Sequence, residues 1–420
     1  MADKTADKTA DGKVLTEFEE RSQGAFIEED EPKDSRMTIN MGPQHPSTHG
    51  VLRLVLELEG EIVREVRPVI GYLHTGMEKE CEDCTWRQAV TIVTRMDYLA
   101  NFFNELVYSL ATEKLLGIEI PPRSQAIRIL MTELNRISSH LVWLATQGMD
   151  MGAVSMMTYG FRERELLIDF FEMVTGLRMN HNYIMPGGVW QDLPDGWRTA
   201  VEDFLAIFPG RMDEYEELLT GNPIWRQRTQ GVALITREQA IALSASGPTL
   251  RACGLAWDIR KAFPYSGIEQ YDFDIPTRTE GDVFARYSVR LAEMRQSMRI
   301  VRQVLDTMPE GEYKNMDPKI TPPPRAELTR SMEAVIHHFK LVTQGYAVPP
   351  GDAYVSVESP RGELSAYVVS NGETLPYRVH VRDPSFVNLQ SLPTMMRDTL
   401  VADTVAAIAS VDPVLGGVDR

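Results

Sequence analysis

The most unusual run in the chain is Gly42-Pro43-Gln44-His45-Pro46-Ser47-Thr48-His49-Gly50, a loop stiffened by two prolines and closed at each end by glycine. Two imidazoles four residues apart could ligate a metal or move a proton near neutral pH. No Cys, Asp or Glu lies inside the loop to complete a tetrahedral set, and a plainer reading has both rings capping neighbouring backbone groups. Cys81-Glu82-Asp83-Cys84 has the spacing of a zinc or redox pair. It lies in an otherwise helical segment with no second pair, so it reads as incidental. Met149, Met151, Met156 and Met157 form a soft cluster that suits core packing or a pocket for a flexible apolar ligand. His337 and His338 are adjacent, so on a helix they diverge by about 100° and read as surface or packing residues. P-loop, GxGxxG, GxSxG and HExxH motifs are all absent, which removes the common nucleotide and hydrolase chemistries.

Composition narrows the class further. The net charge of −17 argues against nucleic acid, because phosphate binding needs clustered Lys and Arg. With 25% charged residues, no stretch approaches the roughly 20 consecutive apolar residues of a membrane span; the apolar run 166–174 is broken by Asp169 and Glu172. Membrane association is therefore expected only through partners. Three cysteines cannot build a disulfide framework, and the opening Met1-Ala2-Asp3-Lys4 has no apolar signal core, so a reducing cytoplasmic setting is expected.

The elements that must position these residues follow from periodicity. Residues 1–36, with Ala-Asp-Lys-Thr at 2–5 repeated at 6–9, read as a disordered acidic tail. Leu52, Leu54, Leu56 and Leu58 alternate, and 62–66 can return as a partner strand, giving a hairpin with one buried face. Helical spacing runs through 97–116, the segment opened by Pro121-Pro122, 155–175, 198–219, 283–307 and 326–344. Breakers at 186–188, 221–223 and 322–324 separate them. Strands return at 353–358, 363–370 and 377–381, with Asn371-Gly372 as a hairpin turn, before a helix at 397–410 and a Gly-rich tail. The expected fold is α+β, mainly α. An N-terminal β region at 37–75 carries the histidine loop, a helical bundle fills 76–350, and a C-terminal β region with a terminal helix occupies 351–420.

The histidine loop with Val51-Leu52-Arg53 resembles the large quinone-pocket subunit family of respiratory complex I, the 49-kilodalton type. So, in the same order, do Gly71-Tyr72-Leu73-His74-Thr75-Gly76-Met77-Glu78-Lys79, Thr94-Arg95-Met96-Asp97-Tyr98-Leu99 and Glu133-Leu134-Asn135-Arg136-Ile137-Ser138-Ser139-His140-Leu141. Phe161-Arg162-Glu163-Arg164-Glu165, Glu358-Ser359-Pro360-Arg361-Gly362-Glu363 and the ending Gly417-Val418-Asp419-Arg420 extend the likeness over roughly 37–420. The resemblance implies a fold like that of nickel-iron hydrogenase large subunits, whose two CxxC pairs would fall at Asp97 with Ala100 and at Ser385 with Asn388. Without thiolates no nickel-iron site forms, so no metal is expected.

It also implies a quinone pocket at that place, with His45, His49, Tyr98 and Met151 around it. His49 and Tyr98 would donate hydrogen bonds to the quinone oxygens, and Asp150 would pair with His49 and raise its pKa, as a catalytic unit. Quinone, ubiquinone or menaquinone, would be the substrate, with no cofactor bound by this chain alone. Electrons would come from a 4Fe-4S cluster in an adjacent iron-sulfur subunit. Other peripheral-arm and membrane-arm subunits would complete a proton-translocating NADH:quinone oxidoreductase on the cytoplasmic side of the membrane. Where some eukaryotic relatives carry Arg near that cluster, this chain has Thr75.

Overall fold

The computed structural model describes residues 36–420; the expected tail lies outside them apart from Arg36. Arg36 opens β1 (Arg36–Met41), which pairs antiparallel with β2 (Arg53–Glu59), itself paired with β3 (Ile62–Val69). The alternating leucines explain the hairpin, since Leu52, Leu54 and Leu56 are fully buried and Leu58 nearly so. β1 was not singled out in the sequence: Met37, Ile39 and Met41 alternate with polar residues, but the run is only six residues long and none of them is fully buried. Its pairing closes the histidine loop at the base, where Met41 faces Leu54.

The helical middle is built around α2. α1 (Asn101–Leu116) precedes α2 (Pro122–Asp150), and α3 (Ser155–Thr175) packs back along it. α2 starts with Pro122 in its first turn, where the missing N–H costs nothing. Apolar spacing predicts one buried face, but α2 is buried nearly all round, Arg128, Glu133, Arg136 and His140 included. Such groups need internal partners. Arg128 binds Glu113 and Arg136 binds Glu133, while His140 meets Glu293 at 3.1 Å.

The helix expected at 97–116 starts four residues late because the Asp97 carboxylate accepts the backbone N–H groups of Leu99 and Ala100, turning the chain and leaving Tyr98 outside α1. The break at 186–188 is a miniature hairpin, β4 (Ile184–Met185) with β5 (Gly188–Val189). α4 (Trp197–Tyr215) runs into a π turn at Glu216–Thr220 before the break at 221–223, and α5 (Val283–Thr307) packs on α2. α6 (Met332–Thr343) starts later than its periodicity suggests, because Ser331 caps it through the N–H of Ala334.

β6 (Gly351–Ser359), β7 (Gly362–Ser370) and β8 (Arg378–Arg382) form an antiparallel sheet against α1. Its tight turn is Pro360-Arg361, where Ser359 pairs with Gly362. The hairpin turn expected at Asn371-Gly372 instead opens a longer connection: Gly372 alone takes positive φ, and the Asn371 side chain accepts the N–H of Glu373. After α7 (Val401–Val411) the expected tail is a buried helix, α8 (Leu415–Asp419). Glycine is required there, because a Cβ on Gly416 would collide with the Met96 carbonyl oxygen and one on Gly417 with the Asp383 carboxylate. Two apolar clusters result, one spanning the helices and C-terminal sheet, the other the N-terminal sheet with α7 and α8; Met151 packs against both. Among the described residues no helix is long and apolar enough to cross a membrane.

Candidate functional site

Arg361, in the tight β6–β7 turn, is 1% exposed and collects three segments. Its Nη1 donates to Asp97 and to the Ser139 hydroxyl of α2, each at 3.0 Å, and its Nε donates to the Asp412 carbonyl at 3.0 Å. Nη2 lies 3.1 Å from the Asp412 carboxylate. A third acid, Asp383, caps the short helix Pro384–Leu389 through the N–H of Ser385 and is buried beside Asp97. One guanidinium thus faces three carboxylates. Burial, then the charge of Asp97, pushes Asp383 up to about 6, and burial pushes Asp412 up to about 6 even with Arg361 and Arg290 opposing. Such a cluster takes up a proton as pH falls through about 6.

Two of the expected site residues flank this cluster. His49 ends the 3-10 turn Pro46–Thr48 in the left-handed region (φ 55), its backbone N–H bonded to the Pro46 carbonyl. Its ring reaches solvent, yet enough protein surrounds it that burial, helped by the positive charge of Arg361, lowers its pKa to about 4. The imidazole is therefore neutral at pH 7. Tyr98 is half-buried, and burial with the charges of Asp97 and Asp412 raises its pKa against the opposing effect of Arg361, so the phenol keeps its proton.

The pairing of His49 with Asp150 is not formed. Burial raises the Asp150 pKa, and the opposing charge that acts on it is His45. The cation that acts on His49 is Arg361, so its pKa moves down, opposite to the direction expected. His45 fits the plain reading, its Nδ1 accepting the N–H of Ser47 at 3.2 Å. It borders a cleft of about 780 Å³ lined by β1, Leu56 and α7, whereas Met151 borders a different hollow of about 130 Å³ beside Leu219 and Trp225. The four expected pocket residues therefore divide: His49 and Tyr98 both feel the charge of Arg361, while His45 and Met151 line separate spaces.

Cys81 is fully buried, and burial with the neighbouring Cys84 and acidic groups pushes its thiol up to about 12, so it has little thiolate to offer a metal. Among the described residues no group of three or more His, Cys, Asp or Glu side chains could hold a metal ion. The residues missed as site members are Arg361, Asp383 and Asp412. Arg361 lay inside the quoted run Glu358 to Glu363 without being singled out, and the signal at Asp412 was a charge among small or apolar neighbours, Ala409-Ser410-Val411-Asp412-Pro413.

The comparisons with known proteins agree with one another. A family model described as the 49 Kd subunit of respiratory-chain NADH dehydrogenase matches residues 150–420. A D-type subunit of the NADH-quinone oxidoreductase of Salinispora arenicola is 54% identical, covering 99% of this chain and 98% of the relative. The D-type subunit of Acidothermus cellulolyticus is 58% identical over 92% of each chain, and one from Roseiflexus castenholzii is 59% identical over 91% of this chain and 93% of its own. The chain belongs to the 49-kDa subunit family of respiratory-chain NADH dehydrogenase, whose named relatives are subunits of an oxidoreductase complex.

Proposed function

We propose that this chain forms the head-group site at which an NADH:quinone oxidoreductase reduces quinone to quinol, with Tyr98 and His49 as the hydrogen-bond donors. The observation that carries the reading is a protonated phenol and a neutral imidazole that both feel one buried Arg361–carboxylate cluster, whose acids are raised to about 6 and can exchange a proton. Quinone reduction consumes two electrons and two protons. Tyr98 donates to one developing oxyanion and neutral His49 hydrogen-bonds the other through its N–H. The Tyr98 proton, restored by way of Asp383 and Asp412, is one of the two that quinol needs, and the second enters from solvent, since a neutral imidazole is too weak an acid to give it up. Asp150 and His45 act one layer back, as a separate pair.

The likeness to nickel-iron hydrogenases supports the location. Asp97, at one vacated cysteine position, binds the Arg361 guanidinium, and Asn388, at another, donates to the Arg361 carbonyl at 3.1 Å. Electrons arrive from a 4Fe-4S cluster in a neighbouring iron-sulfur subunit, and membrane-arm subunits couple the reaction to proton movement on the cytoplasmic side. Tyr98→Phe tests the site. Removing one hydroxyl leaves packing nearly unchanged but deletes a donor, so quinone reduction should fall by an amount worth about 2–4 kcal/mol, as for other oxyanion donors. Electron entry from NADH to an artificial acceptor should persist. Unchanged quinone reduction would refute the assignment, whereas equal loss of both activities would point to misassembly.

A further inference from the structure

We propose that the cavity between the β4–β5 turn and residues 313–322 binds one small inorganic anion of the halide class, held by Arg87, Lys314 and the hydroxyl of Tyr346. Those three side chains line it together with Trp190, Thr321 and the backbone of Gly188, and no carboxylate does. Its volume of about 20 Å³ suits a single small occupant, and a monatomic anion fits it more readily than a tetrahedral oxyanion.

Neither cation makes an ion pair among the described residues. Half-buried Arg87 makes no hydrogen bond or ion pair among the described residues, and its guanidinium rests 4.8 Å from the centre of the Trp190 ring. Lys314 is 9% exposed, and its Nζ donates one hydrogen bond, 2.7 Å, to the Pro322 carbonyl. Burial lowers the pKa of Arg87, and burial followed by the charge of Arg87 lowers that of Lys314, as expected of two positive groups facing one space. Tyr346, 7% exposed, has a hydroxyl with no hydrogen-bond partner. Of the nearby acids, Glu312 is exposed and Glu113 is bound by Arg128.

The walls are fixed. Arg128 donates to the carbonyls of Met185 and Gly188, each at 2.9 Å, and Gly188 bridges to Lys314 so closely that any Cβ there would strike the Lys314 backbone. A water could accept from Tyr346 but would leave two charges uncompensated, which is the costly state for buried ions; an anion satisfies all three groups at once. This cation pair is the more telling in a chain whose net charge is −17.

The experiment uses bromide as the probe. In crystals of the assembled complex soaked in bromide, an anomalous peak is expected in this cavity, and it should vanish in Arg87→Leu. In solution, the melting temperature of the full chain should rise saturably with bromide when gluconate holds ionic strength constant, and the rise should be lost in Arg87→Leu. A cavity holding only water, a neighbouring subunit's carboxylate on Arg87, or equal bromide responses in both proteins would overturn the proposal.

Discussion

Arg361 and Arg87 are both withdrawn from water, and their surroundings are opposite. Arg361 is shared among Asp97, Asp412 and Asp383, an excess of acid that lets the cluster take up a proton as pH falls through about 6. Arg87 faces Lys314 across a cavity that no carboxylate lines, with only the exposed Glu312 acting on Lys314 from outside, a local excess of base. The same side chain thus creates a proton store in one place and anion affinity in the other, and the sign of the local imbalance decides which. Arg361 holds together the β6–β7 turn, α2 and the segment before α8; Arg87 holds nothing but the face of Trp190.

The largest expected effect is therefore at Arg361. Arg361→Gln removes the shared cation and leaves three buried carboxylates, and breaking a buried ion pair from one side costs about 3–5 kcal/mol. The melting temperature should fall sharply and little subunit should assemble. Arg361→Lys should recover only part, because a single ammonium cannot reproduce a fork that reaches Asp97, Ser139 and Asp412 together. An unchanged melting temperature in Arg361→Gln would mean the cluster is not held by that charge.

A smaller effect separates the proton store from the scaffold. Asp383 binds its proton more tightly in the fold, at about 6, than at its ordinary 3.8. Its contribution is therefore fully present below pH 3.8 and lost as pH rises through 6, a swing of about 3 kcal/mol at most. Asp383→Asn keeps the shape and cannot ionise, so it should lose this swing and gain on the native protein as pH rises from 4 to 8 in thermal melts. Because Asp412 competes for the same proton, the gain should be less than the full swing. Parallel pH profiles for the two proteins would remove the proton store.

These contrasts mark what periodicity can and cannot carry. The alternating leucines of β2 and the long helical stretches were legible because each has one repeating apolar face, and that pattern depends on local sequence alone. β1 and the ordered C-terminus were not, since the alternation of Met37, Ile39 and Met41 spans only six residues of an exposed edge strand, and a helix of small residues shows little pattern until its neighbours are in place. His49 and Tyr98 came from motif resemblance, not from any periodicity in the chain. The partner of His49 did not come out, because it depends on which of several buried charges the β6–β7 turn brings near, and Arg361 follows His49 by more than three hundred residues. The cavity at Arg87 left no trace in any motif; its three polar groups come from positions 87, 314 and 346.

The smallest expected effect completes the comparison. In gluconate buffer without halide, Arg87→Leu should change stability by less than about 1 kcal/mol, since two opposing consequences nearly cancel. Losing the guanidinium over Trp190 removes a cation–π contact worth about 0.5–1 kcal/mol. Against that, Lys314 is freed from a like charge in a confined space, and its pKa should rise toward that of an ordinary lysine. Thermal melts across pH 7 to 10 read both parts. Native protein should lose stability on the acid side of the Lys314 titration, where the lowered pKa makes protonation costly, and Arg87→Leu should show less of that loss. A destabilisation as large as that of Arg361→Gln would show that Arg87 already has a buried anionic partner within the chain, and the two arginines would then be alike after all.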